Sequence, residues 1–97
     1  MTRIWLDDER PAPAGWLLVR DVRTVQQLLS EGTVEAISLD NDLGEGSTPG
    51  YVLLDWLEEQ VQAGRLSPPR SIAIHSQNPV ARARMEAVAA RILRGVA

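Results

Sequence analysis

Four short apolar runs punctuate the chain: Arg3-Ile4-Trp5-Leu6, Trp16 to Val19, Ala36-Ile37-Ser38-Leu39 and Ser71-Ile72-Ala73-Ile74. Each is too short for a helix and is bounded by acidic or turn-forming residues, the pattern of a buried strand that ends at the surface. Between them the apolar positions change period. Val25, Leu28 and Leu29 share one helical face, with Thr24 and Gln27 spaced as a capping box and Gly32 placed as the stop. Leu53, Leu54, Leu57 and Val61 define a longer amphipathic helix, opened by Thr48 as cap with Pro49 at its first position, and closed at Gly64. After the Ser67-Pro68-Pro69 turn and the fourth strand, Asn78-Pro79 repeats the cap-then-proline device. The last helix then buries Ala81, Met85, Val88 and Ile92, with Arg82, Arg84, Arg91 and Arg94 mostly outside that face.

One connection departs from the alternation. Arg10-Pro11-Ala12-Pro13-Ala14-Gly15 cannot be a helix interior, because two prolines remove donors and clash with the preceding turn. The first two strands are therefore joined either as a hairpin or by an extended link in place of a crossover helix. The remaining strand and helix alternation predicts a parallel sheet covered by helices. Ligands of such sheets bind beyond the strand C-termini. In this chain every polar cluster follows the end of an apolar run: Asp7-Asp8 after the first, Asp40-Asn41-Asp42 after the third, and His75-Ser76 after the fourth.

Composition narrows the class. With 97 residues and one core's worth of apolar positions, residues 1–97 read as a single domain. There is no cysteine, which excludes disulfides, thiolate ligands and a Cys nucleophile and suits a reducing cytoplasm. The opening Thr2-Arg3-Ile4-Trp5 lacks the sections of a signal peptide, and no apolar run has membrane-spanning length, so an unexported chain without a membrane partner is expected. A net charge of -3 argues against duplex DNA as a partner. All ten cationic residues are arginines, which grip phosphate bidentately where lysine acts as a point charge.

Four carboxylates, Asp7, Asp8, Asp40 and Asp42, would repel one another if they converge, and a hard divalent cation such as magnesium relieves that repulsion through oxygen ligands. Magnesium takes few protein carboxylates and leaves positions for phosphate oxygens, and two helix N-termini near Thr48 and Asn78 favour anions. Arg10 and Arg82 lie close in sequence to this region. Each residue also has a structural reading. Asp7-Asp8 alone would be a solvated strand end, Asp42 a turn former before Leu43-Gly44, and Ser76 and Asn78 capping groups. His75 is either a hydrogen-bonded structural histidine or a functional one. Trp5, Trp16 and Trp56 read as core residues in a chain that lacks Phe.

The order of an acidic pair after the first strand, Asp40 after an inner strand, Gly50-Tyr51 opening a helix and Ser76 ending the next strand resembles the response-regulator receiver domain. That resemblance implies that Asp40 is the phosphate-accepting carboxylate, that Asp7 and Asp8 hold magnesium with the Asp42 backbone carbonyl, and that Ser76 contacts the phosphoryl group. The receiver's lysine, its first crossover helix and its last strand and helix have no counterpart here.

A closer match is the cyclic-phosphate-processing receiver domain, a compact family that this chain resembles along nearly its whole length. The phrases that carry the likeness are Leu6-Asp7-Asp8-Glu9-Arg10-Pro11, Gly15-Trp16, Ile37 to Gly44, Gly50-Tyr51, Trp56-Leu57-Glu58-Glu59 and His75-Ser76-Gln77-Asn78-Pro79. The resemblance implies a truncated, flavodoxin-like α/β fold with a mostly parallel four-stranded sheet in order 2-1-3-4 and three helices. It also implies processing of cyclic phosphates at RNA ends or on nucleotides. On that reading Asp7, Asp8, Asp40 and Asp42 hold the metal, and His75 and Asp40 are catalytic, with His75 protonating the leaving oxygen. Arg10, Asn41, Ser76 and Asn78 would then bind the phosphate-containing small molecule or RNA end. A histidine often stands in the family where this chain has Asn41. The alternative is a non-catalytic module that binds a phosphate ligand or a protein partner, and a phosphoaccepting receiver is a third reading.

Overall fold

The computed structural model describes residues 1–95. In chain order the elements are β1 (Thr2–Leu6), β2 (Leu17–Val19), α1 (Val22–Ser30), β3 (Val34–Leu39), α2 (Gly50–Gln62), β4 (Ser71–Ile74) and α3 (Pro79–Arg94). The four strands form one sheet in the order β2-β1-β3-β4, and every pair is parallel. The expected architecture is therefore the observed one. The open question about the first connection resolves as an extended link. Ten residues can retrace a five-residue strand without a helix, since an extended chain covers about 3.3 Å per residue. Gly15, at φ +86°, makes the turn into β2, where the Trp16 N–H donates to the Pro13 carbonyl at 3.1 Å.

Side chains alternate across a strand, so the register sorts the residues of the sheet into two faces. Ile4 and Leu6 of β1, Ile37 and Leu39 of β3, and Ile74 of β4 join one core cluster with Val25 of α1, Leu53 and Leu57 of α2, and Met85 and Ile92 of α3. Because α1 packs on α2 and α2 on α3, the three helices form a row over that one face. Trp5 pairs in register with Leu18 and with Ser38, and Ser38 with Ala73, so these four residues share the opposite face. No helix covers that face among the described residues. Trp16, approaching Trp5 edge-on at 6.1 Å, shields part of it. Trp56 packs beside the core as expected, whereas Trp5 and Trp16 lie on the other side of the sheet, only partly buried.

Two helix starts differ from the sequence reading. α1 begins before the expected capping box, because Asp21 caps it by accepting the Thr24 N–H at 2.7 Å. For α2, Thr48 is not the cap, and Pro49 at the N-cap position makes no side-chain bond. Its first donors go instead to a distant residue: the Gly50 N–H bonds the Asn41 carbonyl at 2.9 Å, and the Tyr51 N–H bonds Asn41 Oδ1 at 3.1 Å. A helix end needs partners for its free N–H groups, and here the loop after β3 supplies them. α3 starts as expected, with Asn78 Oδ1 accepting from Val80 and Ala81 and with Pro79 leading the first turn. No helix is long and apolar enough to cross a membrane among the described residues.

Candidate functional site

Parallel pairing aligns the C-terminal ends of β1, β3 and β4 on one rim, and this brings Asp7, Asp40 and His75 together. The Asp40 N–H donates to the Leu6 carbonyl at 2.9 Å and the His75 N–H to the Leu39 carbonyl at 3.0 Å, so the three residues are the next rungs of the same ladder. A ligand atom from each lies within 4.8 Å of the others. An acidic cleft of about 280 Å³ opens beside them, lined by Asp7, Asp8, Glu9, Arg10, Asp40, Asp42, Gly44 and Gln77.

Asp7 is the anchor of the group. Its side chain is 1% exposed, and its Oδ1 accepts the N–H groups of Glu9 and Arg10, both at 2.9 Å. Its Oδ2 lies 3.0 Å from His75 Nε2. Burial pushes this carboxyl up, but the Arg10 and Glu9 N–H groups, and then His75, outweigh it and hold Asp7 below the usual range. For His75, burial lowers the pKa, opposed by the hydrogen bond and charge of Asp7 and by the charge of Asp40, while Arg10 adds to the lowering. The pair is thus an ionised Asp7 and a neutral imidazole at neutral pH. An ionised carboxylate can only accept, so Nε2 carries the ring proton, and Nδ1 accepts the Ser38 hydroxyl proton across 2.8 Å. Ser38 is 3% exposed and has no role in the sequence reading.

Trp5 completes the setting of His75. The two rings stack at 3.8 Å between centroids with 5° between planes. Trp5 Nε1 is buried without a partner. Strand alternation puts Trp5 and Ser38 side by side on one face of the sheet, but only the placement of the helices shows that this face lies away from the core.

Asp40 differs from Asp7. Burial raises its pKa, the Asn41 N–H at 2.8 Å opposes that, and the negative charge of Asp7 raises it further. Asp7 is thus held ionised by its donors, while burial and then the charge of Asp7 disfavour the ionised form of Asp40. Asp8 and Asp42 line the same cleft, with Gly44 close enough that a Cβ there would lie 3.4 Å from Asp8 Oδ2. Gly44 also sits at φ +101°, which favours glycine. Gly50 has a stronger reason, because a Cβ there would collide with the Asp40 carbonyl oxygen.

The remaining predicted residues divide. Arg10 lines the cleft. Ser76 is buried, and its hydroxyl accepts the Asn78 N–H at 3.2 Å. Asn41 and Asn78 cap helices and line a separate, more apolar hollow between α2 and α3.

A four-stranded parallel sheet with helices on one face and carboxylates gathered at its C-terminal rim defines a receiver-like α/β domain. Within that class the chain belongs to the family of the cyclic-phosphate processing receiver domain, whose model matches residues 2–91. No curated protein and no solved structure matches the chain.

Proposed function

We propose that this domain binds a divalent cation at its acidic rim and hydrolyses a cyclic phosphodiester to a phosphomonoester. The observation that carries this reading is the convergence of Asp7, Asp40 and His75 in a domain of a cyclic-phosphate processing family. The donor chemistry suits such an ion: two close carboxylates, one buried and one raised in pKa partly by the other, with Asp8 and Asp42 beside them. Magnesium is the cation that an oxygen-dominated donor set favours. When bound, it supplies Lewis-acid polarisation of the phosphoryl oxygens.

The chain's own residues do the rest. Asp7, fixed by two backbone donors and by His75, and Asp40 hold the ion. Arg10, at the cleft wall, faces the phosphate and neutralises its charge with a planar donor fork. Water adds to phosphorus as the ring P–O bond breaks, and the released alkoxide needs a proton. Asp40 and His75 stand beside that step. Asp40, through the carboxylate oxygen turned from the ion, takes the proton of the attacking water, and protonated His75 gives its own to the leaving oxygen from Nε2, giving up its contact with Asp7 to do so, after which both re-equilibrate with solvent. The lowered pKa of His75 makes its protonated form the scarcer one at neutral pH, so turnover should fall as pH rises through the imidazole pKa.

One observation favours a second reading. Neutral His75, backed at Nδ1 by Ser38, has the tautomeric freedom of a metal ligand, because a proton moved to Nδ1 would free Nε2 for the ion and let Ser38 accept. His75 would then be a third ligand of a binding module without turnover. His75→Ala separates the two. Loss of hydrolysis of a nucleoside 2′,3′-cyclic phosphate with cation affinity retained supports the enzyme. Loss of cation affinity with no turnover in the unaltered protein supports the module. An unchanged rate in His75→Ala removes the acid.

A further inference from the structure

The hollow between α2 and α3 has a different character from the acidic cleft. It encloses about 420 Å³ and is floored by Leu54, Met85 and Val88, with Tyr51 and Val80 at its mouth and Asp55 and Arg84 as polar groups on its walls. Tyr51 is 48% exposed and Val80 62%, an apolar and aromatic opening left facing water. Among the described residues neither Asp55 nor Arg84 forms an ion pair. An apolar hollow of this size with a few convergent polar groups is the form of a small-molecule subsite.

Its position relative to the cleft gives it an occupant. Asn41 lines the hollow, while its chain neighbours Asp40 and Asp42 line the cleft. In the same way Asn78 lines the hollow and Gln77 the cleft. Residues 40–42 and 77–78 therefore form a shared wall between the two spaces. Tyr51 is held to that wall, because its N–H donates to Asn41 Oδ1 at 3.1 Å, and Gly50 is pressed against the Asp40 carbonyl. A ligand with its phosphate at Arg10 and Asp40 must send whatever the phosphate is esterified to either into solvent or over this wall.

We infer that the α2–α3 hollow is a nucleobase subsite of the same site, in which Tyr51 stacks on the base and Asp55 and Arg84 meet its polar edge. This rests on the cyclic-phosphate reading above. A nucleobase fits what the walls offer: two apolar faces for the hollow and the Tyr51 ring, and an edge with donors and acceptors for a carboxylate and a guanidinium. The ribose spans the wall, within reach of the Asn78 amide, whose Nδ2 is not used by the cap.

The test is calorimetric titration, with magnesium present and His75→Ala as the parent protein throughout so that neither probe is hydrolysed, of a nucleoside 2′,3′-cyclic phosphate and of glycerol 1,2-cyclic phosphate, which has the phosphate ring and no base. The nucleotide should bind about 10- to 100-fold more tightly, the range that stacking of a base on one aromatic side chain supports. In Tyr51→Ala, and independently in Val80→Asp, the nucleotide's affinity should fall to the base-free value. Equal binding of the two probes to that parent protein overturns the subsite and leaves the cyclic-phosphate reading standing. An advantage for the nucleotide that survives both substitutions also overturns it, since the base then lies elsewhere. If neither probe binds, the subsite and the reading it rests on fall together.

Discussion

Asp7 and Asp40 occupy equivalent places on adjacent strands, yet their surroundings give them opposite proton affinities. Asp7 has two backbone donors and an imidazole, while Asp40 has burial and a negative neighbour. A carboxyl whose folded pKa is raised contributes stability only below its unfolded value, and that contribution is lost as pH rises through the folded value. At neutral pH without a cation, ionised Asp40 is therefore a cost to folding. Asp40→Asn, which keeps an oxygen to accept the Asn41 N–H, should be more stable than the unaltered protein in urea at pH 7 in the presence of a chelator. The gain should shrink toward zero below the ordinary aspartate value of 3.8. The same substitution should abolish stabilisation by magnesium. Equal midpoints at pH 7 would show that Asp40 is already compensated.

Helix ends tie the elements to the site. Asp21 caps α1 with its carboxylate, and the Thr24 N–H holds its pKa below the usual value. That contribution is present above the unfolded pKa and lost as pH falls through the folded one. Asp21→Ala should cost about 1 kcal/mol at neutral pH and less near pH 2, read from urea midpoints at the two pH values. The start of α2 is more demanding, because Asn41 caps it from across a loop while Gly50 lies against Asp40. Gly50→Ala should destabilise by about 1–3 kcal/mol, since backbone rather than a pliable side chain must move, and should weaken cation binding by displacing the Asp40 loop. A midpoint within error of the unaltered protein would mean that the loop yields freely. These ends also show what local sequence conveys. Asn78 was legible as a cap because its partners are the next residues in the chain. Asn41 was not, because its partners lie nine and ten residues on and meet it only after β3 and α2 have docked. At α1, Thr24 and Gln27 have the spacing of a capping box although Asp21 is the cap, because spacing alone does not reveal which of two candidates has extended backbone.

At the level of the whole molecule, parallel pairing turns three separated acidic or polar strand ends into one rim. That convergence followed from the strand and helix alternation together with the acid that ends two of the apolar runs. The placement of all three helices on one side did not follow, because alternation fixes that helices cover a parallel sheet but not how they divide between its faces. Ser38 and Trp5 stayed invisible as site residues for the same reason: each reads as part of a buried run until it is known which face carries no helix. The rim also predicts a thermodynamic coupling. An ion that binds only the folded chain should raise the melting temperature with concentration, contributing about 2.7 kcal/mol at one hundred times its dissociation constant. Calorimetric scans with and without magnesium measure this, and a melting temperature independent of the ion would remove the metal site.

The stack of Trp5 on His75 makes the domain its own optical probe. Of the three indoles, only Trp5 lies against the imidazole at the rim, so replacing Trp16 and Trp56 with Phe leaves a single emitter whose brightness follows that ring. Protonation of the imidazole should quench it, and a ligand that shifts the ring should change its intensity at once. Occupancy could then be followed in a stopped-flow cell without a label.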